Sequence, residues 1–399
     1  MRTEDPSART QPIREAAEQV RLVDHHVHGP LSGDVGRSEL EMLLTESDRP
    51  IPEGTTVFDS QVGFALRQHC APLLGLAPGA TAEEYVARRA EHSAQELAEL
   101  FLDGAGVSDW VVDTGFGTDA IWSAEQMQSR LSGRTHEIVR LEALLEHVAA
   151  ESSPEDLQER FEAAVDRAAE SAAGWKSIIA YRFGFDFEPR RPGPEEILAA
   201  ARDWLAQPSP AEGLRVEDPV LLRWLLYVAC DTGLPLQLHC GYGDPDLDLH
   251  RCDPLLLTSW LRDVEGSGSS IMLLHCYPFH RHAGYLAQVF PHVYCDVGLS
   301  INYSGAASRQ IVSESMELTP FSKLLYSSDA WGPPELHYLG SVLWRRATAA
   351  VMAQWVEQGD WPRDEPERIL RMIGRDNARR VYRLDRPCLL YTSPSPRDL

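Results

Sequence analysis

Eight short β-prone runs punctuate the chain, each ending in a polar or Gly/Pro turn and most followed by a long helical pattern. They are VRLVDHHVHG (20–29), WVVDTGF (110–116), THEIVRLE (135–142), GWKSIIAYR (174–182), LPLQLHCG (234–241), SIMLLHCYP (270–278), VYCDVGL (293–299) and KLLYSSDAWG (323–332). Between them lie strong helix signals such as TAEEYVARRAEHSAQELAELFL and DPVLLRWLLYVACDTG, the latter opening on Asp-Pro and closing on a Gly stop. Strand then helix, repeated, predicts parallel strands joined by crossover helices. Eight such units close into a barrel, so the expected fold is α/β, a (β/α)8 TIM barrel with a helical insertion after the first strand. A doubly wound open sheet is the alternative, but no G-x-G-x-x-G follows any run, which argues against dinucleotide binding.

The length of 399 residues suits two ordinary domains or one large barrel with insertions. The periodic pattern favours one barrel over residues 18–385, preceded by a polar segment, 1–17. Residues from about 31 to 105 are too many for a βα loop and are rich in helix formers, so they are expected to form a helical insertion over the barrel mouth, as a substrate lid or as packing alone. The final CLLYTSPSPRDL breaks the character of what precedes it, and residues 387–399 are expected to be an artefactual tail.

Charge excludes one class of partner. With 60 Asp and Glu against 37 Lys and Arg, a net charge of −23 opposes nucleic-acid binding, which needs clustered positive charge. The first residues, MRTEDPSARTQPIREAAEQV, lack an apolar signal core, and no apolar run reaches transmembrane length. A cytoplasmic protein acting on a small molecule, with no membrane partner, is expected; a homo-oligomer is open. The cysteines at 70, 230, 240, 252, 276, 295 and 388 form no C-x-x-C pair and are expected to be reduced thiols.

The unusual side chains fall at the strand ends: His26 and His28 in the first run, Lys176 in the fourth, His239 in the fifth, His275 in the sixth and Asp329 in the eighth. In a barrel these ends share the rim where chemistry is kept. Strand alternation is expected to point Asp24, His26 and His28 inward and His25 outward to the helices. Two imidazoles at i and i+2 can grip one cation, with Asp24 orienting a ring from beneath. Singly, each histidine reads as an ordinary core residue and S-S-D as a turn; together they favour a metal site. His280 and His282, a second H-x-H, are expected at the start of a helix as solvent-facing or lid residues.

The segments VDHHVHG, LPLQLHCGYGD, LLHCYPFHRHAGYLAQVFPHVYCDVGLS and LLYSSDAWGPPELHYLG resemble the amidohydrolase superfamily. The resemblance is to its amidohydrolase-2 branch, found fused to glutamine-synthetase-like domains in fungal FluG and plant nodulin-type proteins, and it spans most of residues 18–385. The chain is similar to a stand-alone relative of such fusions. The resemblance implies that His26 and His28 bind the more buried metal, that His239 and His275 complete the coordination, and that Asp329 is both ligand and proton carrier. It also implies a divalent cation, zinc foremost, as one or two ions. Some superfamily members bridge two metals with a carbamylated lysine on the fourth strand, whereas many amidohydrolase-2 relatives hold a single ion. Lys176 is therefore either that lysine or a core salt-bridge residue.

The expected chemistry follows from the ligands. A zinc-bound water has a pKa near 7, so hydroxide is available at neutral pH. Asp329 is expected to take the water proton and return it to a leaving nitrogen, and His275 either to ligate or to hydrogen-bond the carbonyl oxygen. The substrate-facing candidates are Arg182 at the end of the fourth strand, Tyr277, and Trp331 with Glu335. Arg182 would be a carboxylate clamp or a salt-bridge residue, and Trp331 a stacking platform or packing. The expected activity is hydrolysis of carbon–nitrogen bonds in an amide such as a γ-glutamyl or N-acyl compound. A non-oxidative decarboxylase of the same fold and a non-catalytic binding or assembly barrel are the alternatives.

Overall fold

The computed structural model describes residues 6–207 and 213–385. The stretch expected to be an artefactual tail, 387–399, lies outside them. Seven parallel strands, β1 (Leu22–Val27), β2 (Val107–Asp113), β3 (Arg134–Arg140), β4 (Gly174–Ser177), β5 (Leu236–Cys240), β6 (Ile271–His275) and β7 (Val293–Cys295), pair in sequence order with helices between them. The eighth run closes the ring without forming a regular strand. Leu324 bridges Cys295 in parallel and Leu325 N donates to Cys295 O, while His25 N donates to Tyr326 O and Asp329 N to His26 O. The reason for its irregularity is local: Asp24 Oδ1 accepts from Ser328 N at 2.9 Å, and Asp329 lies at a left-handed φ of 49°.

Side-chain alternation sorts the core into two layers. Val23, Val111, Ile138, Met272, Leu274, Tyr294 and Leu325 cluster inside the barrel. Their strand neighbours Leu22, Val112, Trp175, Leu238, Leu273 and Val293 join the larger cluster shared with the helices. The helix Asn377–Tyr382 supplies Ala378, Val381 and Tyr382 to the inner layer. It is fastened at the strand N-termini, where Arg379 meets the buried Asp109 at 3.0 Å. The barrel is thus plugged from below and open above.

Two local departures from the expected strands matter for the site. β4 ends at Ser177 and is followed by a helical turn, Ile179–Arg182, so Arg182 is not at a strand end. Between β1 and β2 the chain forms the helices Arg37–Met42, Gln61–Ala65, Ala82–Arg89 and Ala94–Gly104, the last two opened by Thr81/Glu84 and Ser93/Glu96 capping boxes. The six cysteines among the described residues are buried thiols. Cys240 and Cys276 fall in the outer layer, opposite the histidines that precede them. No helix among the described residues is long and apolar enough to cross a membrane.

Candidate metal centre

At the end of β1 the ladder register shifts between Asp24 and Val27, a bulge that breaks simple alternation. His25, expected to face the helices, is instead buried against the inner layer, and the bulge delivers His26 and His28 to the mouth as well. His26 Nδ1 lies 2.8 Å from Gln237 Oε1. The Gln237 amide nitrogen is committed to His25 O and to the Tyr382 hydroxyl, so its oxygen accepts and His26 Nδ1 carries the proton. His28 Nδ1 meets the Asp113 carbonyl at 3.1 Å, which also can only accept. Both rings therefore turn an unprotonated Nε2 to the mouth, the state a metal ligand requires. Asp24 does not support these rings as expected; its carboxylate holds the Ser328 backbone, and burial pushes its carboxyl up to about 8.

The same relay runs on below. Gln237 donates to the Tyr382 hydroxyl, that hydroxyl donates to His25 Nδ1 at 3.0 Å, and His25 Nε2 donates to Asp296 Oδ2 at 2.9 Å. Asp296 Oδ1 accepts from the His275 and Gly298 backbone nitrogens and from the Ser327 hydroxyl. Burial acts to raise the Asp296 carboxyl, but the His25 bond and these donors outweigh it and hold it below its ordinary value.

The ends of β1 and β6 now meet on one carboxylate of the eighth run. Asp329 Oδ1 lies 3.0 Å from His26 Nε2 and 3.7 Å from His28 Nε2, and Oδ2 lies 3.2 Å from His275 Nε2. His26, His28 and Asp329 offer ligand atoms all within 4.8 Å of one another. His275 reaches this point because its own φ is 66° and that of Cys276 is 54°; Leu274 already faces inward, so plain alternation would have sent His275 outward. Such backbone costs about 1–3 kcal/mol per residue and persists where the surroundings enforce it. His239 packs its ring 4.7 Å from that of His275 and 4.5 Å from that of Tyr181. A Cβ at Gly243 would stand 3.0 Å from His239 Nε2 and closer still to the Tyr181 hydroxyl, so this loop needs glycine to approach.

These residues fit a cation. His239 Nε2 and His275 Nε2 are buried without hydrogen-bond partners, and the latter faces a carboxylate without hydrogen-bond geometry. An orphaned buried polar atom costs about 1–3 kcal/mol, which a shared metal would remove. Burial holds all four imidazoles below their ordinary pKa, that of His28 at about 4, so they are neutral donors at pH 7. Lys176 on β4 brings Nζ to 3.3 Å from His26 Nε2, and burial lowers its ammonium to about 8.

Other expected rim residues are placed differently. Arg182 is paired with Glu146 at 3.1 Å, the salt-bridge alternative, because the helical turn after β4 redirects it. Glu335 is fully buried against Arg89 at 2.7 Å and the Tyr85 hydroxyl. His280 and His282 do open a helix, yet both are engaged: the buried His280 with Glu314 at 2.7 Å and His282 with Asp253 at 3.0 Å. Tyr277 is 39% exposed and stacks on His280. Trp331 stands edge-on to Phe116, whose ring is 5.3 Å from that of His28. Asp113, Phe116 and Arg140 at the ends of the second and third strands, with Tyr181, Gln237 and Asp296, are site residues that sequence reasoning missed. The strand-end criterion that found the histidines would have flagged Asp113 and Arg140.

A family model described as amidohydrolase matches residues 73–384. Protein fluG of Emericella nidulans is 32% identical over 226 residues, 54% of this chain and 26% of fluG, so the chain spans about a quarter of that relative's length. A Lactobacillus casei ATCC 334 protein, described as a candidate metal-dependent hydrolase, superposes with a TM-score of 0.77 at 27% identity, covering 94% of this chain and 98% of that one. A uronate isomerase of Bacillus halodurans C-125 superposes with a TM-score of 0.65 at 15% identity over 95% and 97% of the two chains, a likeness of fold alone. The family match begins beyond β1, so the H-x-H strand and its meeting with Asp329 are independent of it. Match and geometry agree, and the chain belongs to the amidohydrolase family, in its amidohydrolase-2 branch.

Proposed function

We propose that this chain is a metal-dependent hydrolase of carbon–nitrogen bonds acting on an amide such as a γ-glutamyl or N-acyl compound. His26, His28, His239, His275 and Asp329 form the ligand set. The observation that carries this reading is the approach of three imidazole nitrogens to the two oxygens of Asp329, at 3.0, 3.7 and 3.2 Å. These residues would hold a divalent cation, zinc foremost, which would supply carbonyl polarisation and a water whose pKa is lowered to about 7.

The chain's own groups position and move protons. Gln237 and the Asp113 carbonyl hold His26 and His28 in one tautomer. Asp329 takes the proton of the attacking water and returns it to the leaving nitrogen. His275 completes the coordination or steadies the carbonyl oxygen. Lys176, whose Nζ lies 3.3 Å from His26 Nε2, would join the ligand set of a second ion if its nitrogen were carbamylated. Elemental analysis of the purified chain, then incubation with γ-glutamyl and N-acyl amides while both released amine and carbon dioxide are assayed, tests the reading. Bound divalent metal and amine release are expected. Carbon dioxide release would replace hydrolysis with decarboxylation, and a chain that retains no divalent metal would be a binding barrel instead.

A further inference from the structure

Arg140 is the last residue of β3, two positions beyond the inward Ile138, so it enters the barrel mouth. In the parallel ladder it stands beside Lys176. Its side chain is 11% exposed. Nε and Nη2 both approach the single oxygen Asp113 Oδ2, at 3.2 and 2.5 Å, while Oδ1 is taken by Gly115 N at 3.0 Å. That is a side-on pair rather than a two-oxygen fork, and it leaves Nη1 outside it. The guanidinium carbon lies 5.7 Å from the centre of the Phe116 ring, which is 40% exposed and also flanks His28. A Cβ on Gly115 would collide with the Arg140 side chain, so the loop after β2 is shaped around this arginine.

A guanidinium has five N–H donors, and Asp113 uses only the Nε and Nη2 edge of Arg140. The arginine can therefore keep Asp113 on that edge and present Nη1 to the carboxylate of a ligand in the mouth.

We propose that Arg140 is the specificity-determining residue of the site and that the substrate carries a carboxylate, seated on this guanidinium with Phe116 and Trp331 as its apolar wall. The proposal rests on the reading of the mouth as a metal-dependent active site and adds the substrate's chemical class to it. Arg182, paired elsewhere, takes no part.

The test is binding of glutarate and of its neutral diamide, glutaramide, to the metal-depleted chain by calorimetry, with no turnover required. Glutarate binding in preference to the diamide is expected. It should weaken by at least about tenfold in Arg140→Gln, less in Arg140→Lys, which keeps the charge opposite Asp113 but loses the planar fork, and not at all in Arg182→Gln. Thermal melts check that each variant is folded. Equal binding of the two probes by the wild type, no glutarate binding, or undiminished affinity in folded Arg140→Lys would overturn the proposal. Because the readout is metal-free, failure of the hydrolase reading, seen as absent amine release, is a separate result.

Discussion

Asp329 is held at φ 49° with its two oxygens divided between His26 and His28 on one side and His275 on the other. A group in that position can exchange a proton across the reacting centre. Asp329→Asn keeps the shape and removes the basicity, so turnover is expected to fall by at least about a hundredfold while the thermal melt stays close to that of the wild type. Near-normal turnover would eliminate the proton transfer. Lys176 offers a second test, because Nζ is 3.3 Å from His26 Nε2. If it bridges two ions, Lys176→Ala lowers the metal content from two ions per chain to one; one ion in both proteins removes the bridging role. At this scale much of the site is legible in the sequence, since His26, His28, His239, His275 and Asp329 all close β-prone runs. Arg182 misleads because IIAYR reads as continued strand, whereas the chain turns helical after Ser177. His275 reaches the cluster only through left-handed backbone, which no residue type in LLHCYP announces.

The elements explain why the ligands are oriented. β1 and the helix Asn377–Tyr382 are 357 positions apart in the chain at His25 and Tyr382, yet one hydrogen-bond relay joins them to the His26 ring through Gln237. Replacing Tyr382 by Phe removes the donor to His25 and the acceptor of Gln237 while keeping the packing. The amide is then free to rotate, and His26 loses its fixed tautomer. Metal affinity is expected to drop by about ten- to a hundredfold, the range for partners that orient ligands, measured by competition with a chromophoric chelator. Unchanged affinity would show that Gln237 is fixed by His25 O alone. The barrel as a set of strands follows from the alternation of runs and helices, and seven of the eight runs form ladder strands. The bulge in β1 does not, because Asp24, His25 and His26 read as ordinary alternation until the backbone of Ser328 claims Asp24.

Across the whole molecule, the helices between β1 and β2 must be seated on a barrel whose last long helix, Pro334–Gln358, starts five residues after Asp329. Arg89 and Glu335 make that connection, their side chains 6% and 0% exposed and 2.7 Å apart, with the Tyr85 hydroxyl donating to the same Oε1. In the sequence Glu335 looks like a rim residue because it follows the S-S-D-A-W-G segment closely; its partner lies 246 positions away, so nothing local reveals the pair. A buried pair contributes little relative to an apolar replacement, but removing one partner strands a charge at a cost of about 3–5 kcal/mol. Arg89→Met is therefore expected to lower the denaturation midpoint strongly, and the double variant Arg89→Met, Glu335→Leu to recover much of that loss. Equal loss in both variants would mean that the guanidinium matters through its packing and not its charge. Because the insertion also carries Glu46 to the mouth, the single variant should raise KM more than it lowers kcat; a change confined to kcat would break the link between the seating of the insertion and substrate binding.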